Sequence, residues 1–346
     1  MKTHDINKQV EDAINKQNNM PVDDFDGLSA NQMEQLLYHP FEGDTVVKFA
    51  AKAKFGIFVE SPLFIIAWEL LNTISESGGI KLTSKGYLPL KLVKSIYDKG
   101  YFPDDDIETG EIELRSEYDW LLLFVVKQLL LLTEIAENKN NVLTFTERGR
   151  ELFTKKSDFV VYMDLLKAFC LGYSWASNDS FESEEIAQVG FMYVIYLLKK
   201  YGGTPREARF YSKKYFQAFP TLYVADDDLD EDEEDDDDWD EDDEDDAEED
   251  NLDKESLLKD EPDTDEDFEE DEDSEVDEDS GEDKEDKQEE DRLYCFEARF
   301  FWRFCEWFGL AEVDEDYIMP GGEFDFELFE RAGEVKRSKL FERIVQ

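Results

Sequence analysis

Histidine is nearly missing from this chain: His4 and His39 are the two in 346 residues. Cysteine occurs three times, as Cys170, Cys295 and Cys305. A structural zinc site needs about four converging Cys, His or carboxylate ligands, and these residues are too scattered to form one. The odd, irregularly spaced cysteines argue against a disulfide framework and for a reducing compartment. Nucleophilic catalysis needs a base beside the nucleophile. His39, between Tyr38 and Pro40 at an expected helix end, reads as a capping or surface residue. Neither GxxxxGK[ST] nor GxGxxG occurs, and Gly78-Gly79 and Gly202-Gly203 read as helix stops. No catalytic, cofactor-binding or metal-ligating residue is assigned, no cofactor is expected, and the reading leans away from an enzyme.

Long apolar runs are also lacking. The longest, Trp120 to Leu132, has 13 residues and is broken by Lys127 and Gln128. A membrane span needs about 20. The opening MKTHDINKQVEDAINKQ has no apolar core of a secretory leader. These absences predict a cytoplasmic protein with no membrane partner.

Positive charge is scarce: 37 bases face 90 acids, a net charge of −53. The imbalance is local. Residues 226–291 hold 46 acids and four lysines, which leaves 44 acids and 33 bases elsewhere. A segment this charged cannot bury enough apolar surface to offset its ordering entropy. Residues 225–291 are therefore expected to be a disordered acidic insertion. It can add solubility, cover basic patches or bind a basic protein. Its acids do not fall in the frame of an EF-hand loop, so only weak divalent cation binding is expected there.

The remaining chain is rich in Phe, Tyr, Leu and Ile and reads as mainly α with short β-hairpins. Residues 1–27 form a polar, partly helical lead-in. LSANQMEQLLY starts a helix, with Ser29 and Gln32 as a capping box. In ESPLFIIAWELLNTISESGG, Ser61 caps, Pro62 takes the first helical position and Gly78 closes. Ile80 to Thr83 is extended, and Pro89 opens a helix closed by Gly100. A capped helix from about Ser116 runs into a hairpin with one strand near Leu131 to Ala136, a turn at NKNN and a second strand VLTFT. Thr146 then caps a helix through Phe153. Helices follow near 158–171, 183–201 and 205–218. Glu184 and Glu185 in the first turn of the second, and Lys199 and Lys200 in its last, suit the helix dipole. RLYCFEARFFWRFCEWFG is an aromatic helix, LAEVDEDY and FDFELFE are strand candidates, and SKLFERIV is a last helix.

FVVKQLLLLTEIAENKNNVLTFTERGRELF and FWRFCEWFGLAEVDEDYIMPGGEFDFELFERAGEVKRSKLF share a plan: helix, strand, break, strand, short helix. PLFIIAWELLNTISESGGIKLTSKGYLPLKL reads as a shortened third copy. LTSKG and FTERGREL fit the phrase that closes a winged-helix hairpin. The fold is thus read as a helical protein with winged-helix-like modules; a generic helical bundle with hairpin insertions is the alternative. The domains are 28–224, helical with winged-helix-like hairpins, and 292–346, a helix–hairpin–helix segment packing on it.

LSANQMEQLLYHPF, ESPLFIIAWELL and IKLTSKGYLPLKLV resemble an uncharacterised family of bacterial proteins. Some of its members are similar to parts of proteins known as plasmid ORF-3-like or carrying a SEC-C metal-binding tail. The likeness covers about 25–225 and 292–346. This chain has no Cys-x-Cys and no Cys-His tail, so no zinc tail is carried over, and the resemblance implies no activity.

Basic residues gather at the hairpins and the helices after them. Lys81, Lys85, Lys91, Lys94 and Lys99 form one group, Arg148, Arg150, Lys155 and Lys156 a second, and Arg331, Lys336, Arg337, Lys339 and Arg343 a third. A winged helix touches phosphates at these places, so Lys81, Lys85, Lys91, Lys94, Arg148, Arg150, Lys336 and Arg337 are candidate phosphate contacts. The other reading is a solvated face alternating with core positions. The expected function is a non-enzymatic interaction or regulatory protein that touches nucleic acid. Its alternative is a protein-binding or structural protein whose acidic segment binds basic partners or adds solubility.

Overall fold

The computed structural model describes residues 3–42, 45–54, 56–181, 183–223, 281–314 and 333–346. Two helices lead in, α1 (Thr3–Asn18) and α2 (Ala30–Tyr38). The expected capping box starts α2: the Gln32 amide donates to Ser29 Oγ at 3.3 Å, and the Ser29 amide donates to Gln32 Oε1 at 2.9 Å. Between the helices, the Asp26 carboxylate accepts from Lys200, Lys214 and Tyr201 and ties the lead-in to the body.

α3 (Pro62–Ser77) begins as its sequence predicts, with Ser61 Oγ accepting from the Phe64 amide and Gly78 left-handed at φ 75. Apolar residues on most of its sides make it a core helix; Leu63, Ile66, Ala67, Leu70 and Leu71 are buried. Next come β1 (Ile80–Lys81), α4 (Leu90–Tyr97), α5 (Asp105–Thr109), α6 (Leu121–Leu132), β2 (Ala136–Lys139), β3 (Val142–Phe145) and α7 (Glu147–Thr154). The strands make an antiparallel sheet of order β1-β3-β2. Asn140 and Asn141 turn the hairpin at φ 55 and 62, the left-handed pair a two-residue loop requires and asparagine tolerates.

α8 (Asp158–Leu171) follows, and then the same order returns, with the five-residue α5 counted as an insertion between the first round's second helix, α4, and its third, α6. The second round is α9 (Phe191–Tyr201), β4 (Arg206–Glu207), α10 (Ala208–Ala218), α11 (Gly281–Glu297) extended by a π-helical stretch Ala298–Cys305, β5 (Ala311–Val313), β6 (Glu334–Arg337) and α12 (Lys339–Ile344). Its sheet has the equivalent order, β4-β6-β5. The two rounds agree atom by atom where the third helix meets the sheet. Glu134 and Gly309 are both left-handed, at φ 53 and 65. Ile135 N–H donates to the Leu130 carbonyl, and Leu310 N–H donates to the Cys305 carbonyl. Thr146 Oγ1 donates to the Glu134 carbonyl and Ser338 Oγ to the Gly309 carbonyl, each at 2.6 Å. The same two hydroxyls cap α7 and α12. The chain is thus mainly helical with two small antiparallel sheets, and its order of elements is duplicated. We call the rounds the first and second modules.

One core runs through both. The Phe169 ring of α8 lies 5.4 Å from Phe308 and 6.0 Å from Phe304, and the Tyr162 hydroxyl donates to the Phe308 carbonyl at 2.8 Å. Gln346 is tied to the 45–54 stretch: its amide donates to the Lys48 carbonyl, and Lys48 N–H returns to the Gln346 carbonyl.

Several expectations need correction. The supposed third copy is not a separate unit, because β1 pairs with β3 and so belongs to the first module. The first hairpin strand starts at Ala136, since the leucine run stays helical through Leu132. Ser116 caps a 3-10 turn, Glu117–Asp119, and α6 starts only after Trp120. α9 begins at Phe191, because Ala187 and Gly190 take positive φ and interrupt the run. Arg206 and Glu207 form a strand ahead of α10. The expected disorder of 225–291 falls largely outside the described residues, but 281–291 are helical. The FDFELFE strand candidate and Arg331 lie outside the described residues.

Candidate functional site

The basic candidates divide into two sets. Lys81, on β1, is exposed and stands in register with Val142, which also faces Lys139 of β2. Opposite residues share a sheet face, so Lys81 and Lys139 lie on the outer face while Ile80 and Leu143 enter the core. Lys85 sits in the exposed 83–86 turn, closed by the Gly86 amide donating to the Thr83 carbonyl at 2.9 Å. Lys91 and Lys94 project from one side of α4. Asn141 Nδ2 donates to the Leu82 and Thr83 carbonyls at 3.0 Å each, holding the hairpin tip against this turn. Among the described residues none of the four lysines has an ion pair.

The other candidates are engaged. Arg148 pairs with Asp164 and donates to the Thr133 carbonyl. Arg150 lies over the Phe145 ring at 5.8 Å. Lys336 pairs with Glu312 at 3.7 Å. Arg337 donates to the Lys199 carbonyl at 2.6 Å and to Glu342. Lys99 and Lys155 pair with Glu69 and Glu151. The chain therefore concentrates its free candidate cations on the β1–turn–α4 stretch of the first module.

The third helix of each module is core. On α6, Leu122, Leu123, Val125, Val126, Leu129 and Leu130 are buried, and so is Lys127. Lys127 pairs with Glu117 and donates to the Gly86 carbonyl, while Glu117 Oε2 accepts from the Leu88 amide. In the second module Arg299 is fully buried and makes a two-pronged bond to Asp179 at 2.7 and 2.9 Å, joined by Arg303 at 2.7 Å. Burial alone would raise the Asp179 pKa, but the two guanidiniums outweigh it and hold it below the usual value. Glu297, buried against Ser212 and Arg209, goes the other way because desolvation dominates. Burial pushes all three cysteine thiols up, Cys295 to about 12, so they are neutral core groups.

A groove that the sequence did not announce opens beside the first sheet. It is a shallow, open groove of about 640 Å³ between the end of α6, β2 and the start of α7. Leu131 and Ala136 line its floor, and Glu134, Glu137, Glu147 and Glu151 line its rim. Arg148 also reaches it, already paired with Asp164. The signal in the sequence is the repeat itself: LTEIAE aligns with WFGLAE, and FTERGRE with RSKLFER.

Among the described residues no group of three or more His, Cys, Asp or Glu is placed to hold a metal ion, and no helix is long and apolar enough to cross a membrane. Comparison with known protein families, curated proteins and solved structures finds no match to this chain.

Proposed function

We propose that this chain is an interaction protein built from two winged-helix modules that dock other proteins. The order helix–strand–helix–helix–strand–strand, with the first strand beside the third, supports the winged-helix reading in both modules. The observation that carries the function is the burial of the third helices. A winged helix reads nucleic acid by laying that helix in the major groove with polar residues outward. Here α6 carries one cation, Lys127, and it is sealed in the core. Arg299 in the second module is likewise sealed by Asp179. Both helices hold the modules together and leave sheets, hairpin and short helices as contact surfaces.

The unpaired Lys81, Lys85, Lys91, Lys94 and Lys139 favour a second reading, in which the first hairpin contacts phosphates. Fluorescence anisotropy with one duplex and one single strand at two ionic strengths separates the two. The expected result is weak binding that ignores sequence and fades with salt, as phosphate contacts do. Tight, sequence-selective binding abolished by Gln128→Ala on the partly exposed side of α6 would overturn the protein-docking reading.

A further inference from the structure

Where acids outnumber bases, an unpaired cation is the scarcer charge. The chain outside 226–291 holds 44 acids and 33 bases. The basic candidates of α7 and β6 are engaged: Arg148 by Asp164, Lys336 by Glu312 and Arg337 by Glu342. Lys81, Lys85, Lys91, Lys94 and Lys139 are all exposed, and among the described residues none of them has an ion pair. They gather on one stretch of the first module. Lys81 and Lys139 flank Val142 on the sheet's outer face. Lys85 sits in the turn beside the hairpin tip, and Lys91 and Lys94 share one side of α4.

This surface is held in place from beneath. Lys127 and Glu117 form a buried ion pair, and taking two charges out of water is costly. Their remaining bonds go to the turn: Lys127 donates to the Gly86 carbonyl, and Glu117 accepts from the Leu88 amide. Asn141 Nδ2 adds its bonds to the Leu82 and Thr83 carbonyls, and the Tyr87 amide donates to Thr83 Oγ1 at 3.1 Å. Lys85 is therefore presented from fixed backbone, a support that a merely solvated face does not need.

Two features decide what the lysines meet. Leu90, 38% exposed, stands next to Lys91 and one helical turn from Lys94. An apolar contact amid cations suits a protein segment and gives nothing to a phosphate. Acids also border the face. Glu137 lies two residues from Lys139 on the same side of β2. Beyond the end of α4, α5 brings Asp105, Asp106 and Glu108, tied there by the Tyr97 hydroxyl, which donates to Glu108 at 2.8 Å. A DNA duplex carries a charge about every 1.7 Å along its axis, so it would lay phosphates over these acids as well as over the lysines. A short acidic segment places charge only where the lysines are.

We propose that the β1–turn–α4 face is the first module's docking surface for an acidic segment of a partner protein. Its Asp or Glu side chains meet Lys81, Lys85, Lys91, Lys94 and Lys139, and an apolar residue among them covers Leu90. This inference rests on the protein-docking reading and gives it the face that phosphate contacts would use.

The test uses the full chain at physiological salt and three fluorescent probes: a peptide of repeated Glu-Glu-Leu, its Gln-Gln-Leu counterpart, and a single DNA strand carrying the charge of the first. Fluorescence polarisation should show the glutamate peptide binding more tightly than the strand and about tenfold more tightly than the glutamine peptide. Lys85→Glu with Lys94→Glu should weaken the glutamate peptide about tenfold. Lys213→Glu with Lys339→Glu, the same change of net charge at exposed lysines of the second module, should change it little. Leu90→Ser should weaken the peptide about threefold and leave the strand unaffected. Circular dichroism checks that each variant folds. No saturable peptide binding up to about 1 mM, equal loss in the two double variants, tighter binding of the strand, or indifference of the peptide to Leu90→Ser would overturn the docking surface. Those outcomes leave the protein-docking reading standing on the molecule's other surfaces, because the sequence-selectivity titration with Gln128→Ala decides it independently.

Discussion

At the scale of single residues, the buried pair Lys127–Glu117 shows how the first module uses charge. Neither side chain reaches solvent, at 5% and 0% exposure, so each has lost its hydration and depends on the other. The pair also holds backbone: Lys127 donates to the Gly86 carbonyl at 3.0 Å and Glu117 accepts from the Leu88 amide at 2.8 Å. It thereby fixes the 83–88 turn, which carries Lys85, onto α6. Removing one member of such a pair strands the other charge in the core. Lys127→Met should cost about 3–5 kcal/mol in urea unfolding. The double variant with Glu117→Leu should recover part of that loss, although the Leu88 amide then lacks its acceptor. A Lys127→Met variant as stable as the parent would show that Glu117 finds water or another partner.

At the scale of elements, the close fit of α7 on β2 explains why a glycine stands in FTERGREL. A Cβ on Gly149 would lie 2.7 Å from the Ile135 carbonyl carbon and closer still to its oxygen. Backbone cannot yield as a side-chain tip can, so Gly149→Ala should cost about 1–3 kcal/mol. By contrast, a Cβ on Gly203 would meet only the guanidinium of Arg337, at 3.6 Å, and Gly203→Ala should change the unfolding midpoint little. Equal effects of the two would refute the close-approach argument. This glycine was legible in sequence as part of a phrase, but not its reason. The caps at Ser29, Ser61 and Thr146, and the Asn140–Asn141 turn, were legible because capping and turn chemistry are local. Strand limits were not: a leucine run reads alike in helix and strand, and only the left-handed Glu134 shows where α6 must end. β6 is short and charged, and its strand character comes from pairing with β4 and β5. The start of α9 was misplaced because Glu184 and Glu185 imitate a helix start. The structure instead spends that stretch on Arg299, which donates to the Ser183 and Ile186 carbonyls. The groove was hidden for a further reason: its lining comes from α6, β2 and α7, whose exposed carboxylates meet only once the hairpin folds back.

At the scale of the whole molecule, the second module is made from two distant pieces of chain. Its first helix, first strand and second helix end by Ala218, while its third helix and last two strands come after Gly281. Without the later piece, β4 loses its partner β6. Tyr215 loses Phe296, whose ring lies 4.6 Å away, and Trp175 loses Phe304 at 5.1 Å. Phe296, Phe300, Phe301, Phe304 and Phe308 are all fully buried, so their removal uncovers a broad apolar surface on α8, α9 and α10. At about 1.5–3 kcal/mol per large side chain, the burial lost with these rings is comparable to a domain's whole margin of about 5–15 kcal/mol. A chain ending at Tyr223 should therefore aggregate, or remain expanded with strong binding of a hydrophobic dye and no cooperative thermal transition. The lead-in helices and the first module would still be present in that chain, so the outcome reports what the removed residues 224–346 contribute. A soluble, cooperatively unfolding 1–223 would mean that the first module and the remnant of the second close over this surface by themselves, and that the shared core is not required for either.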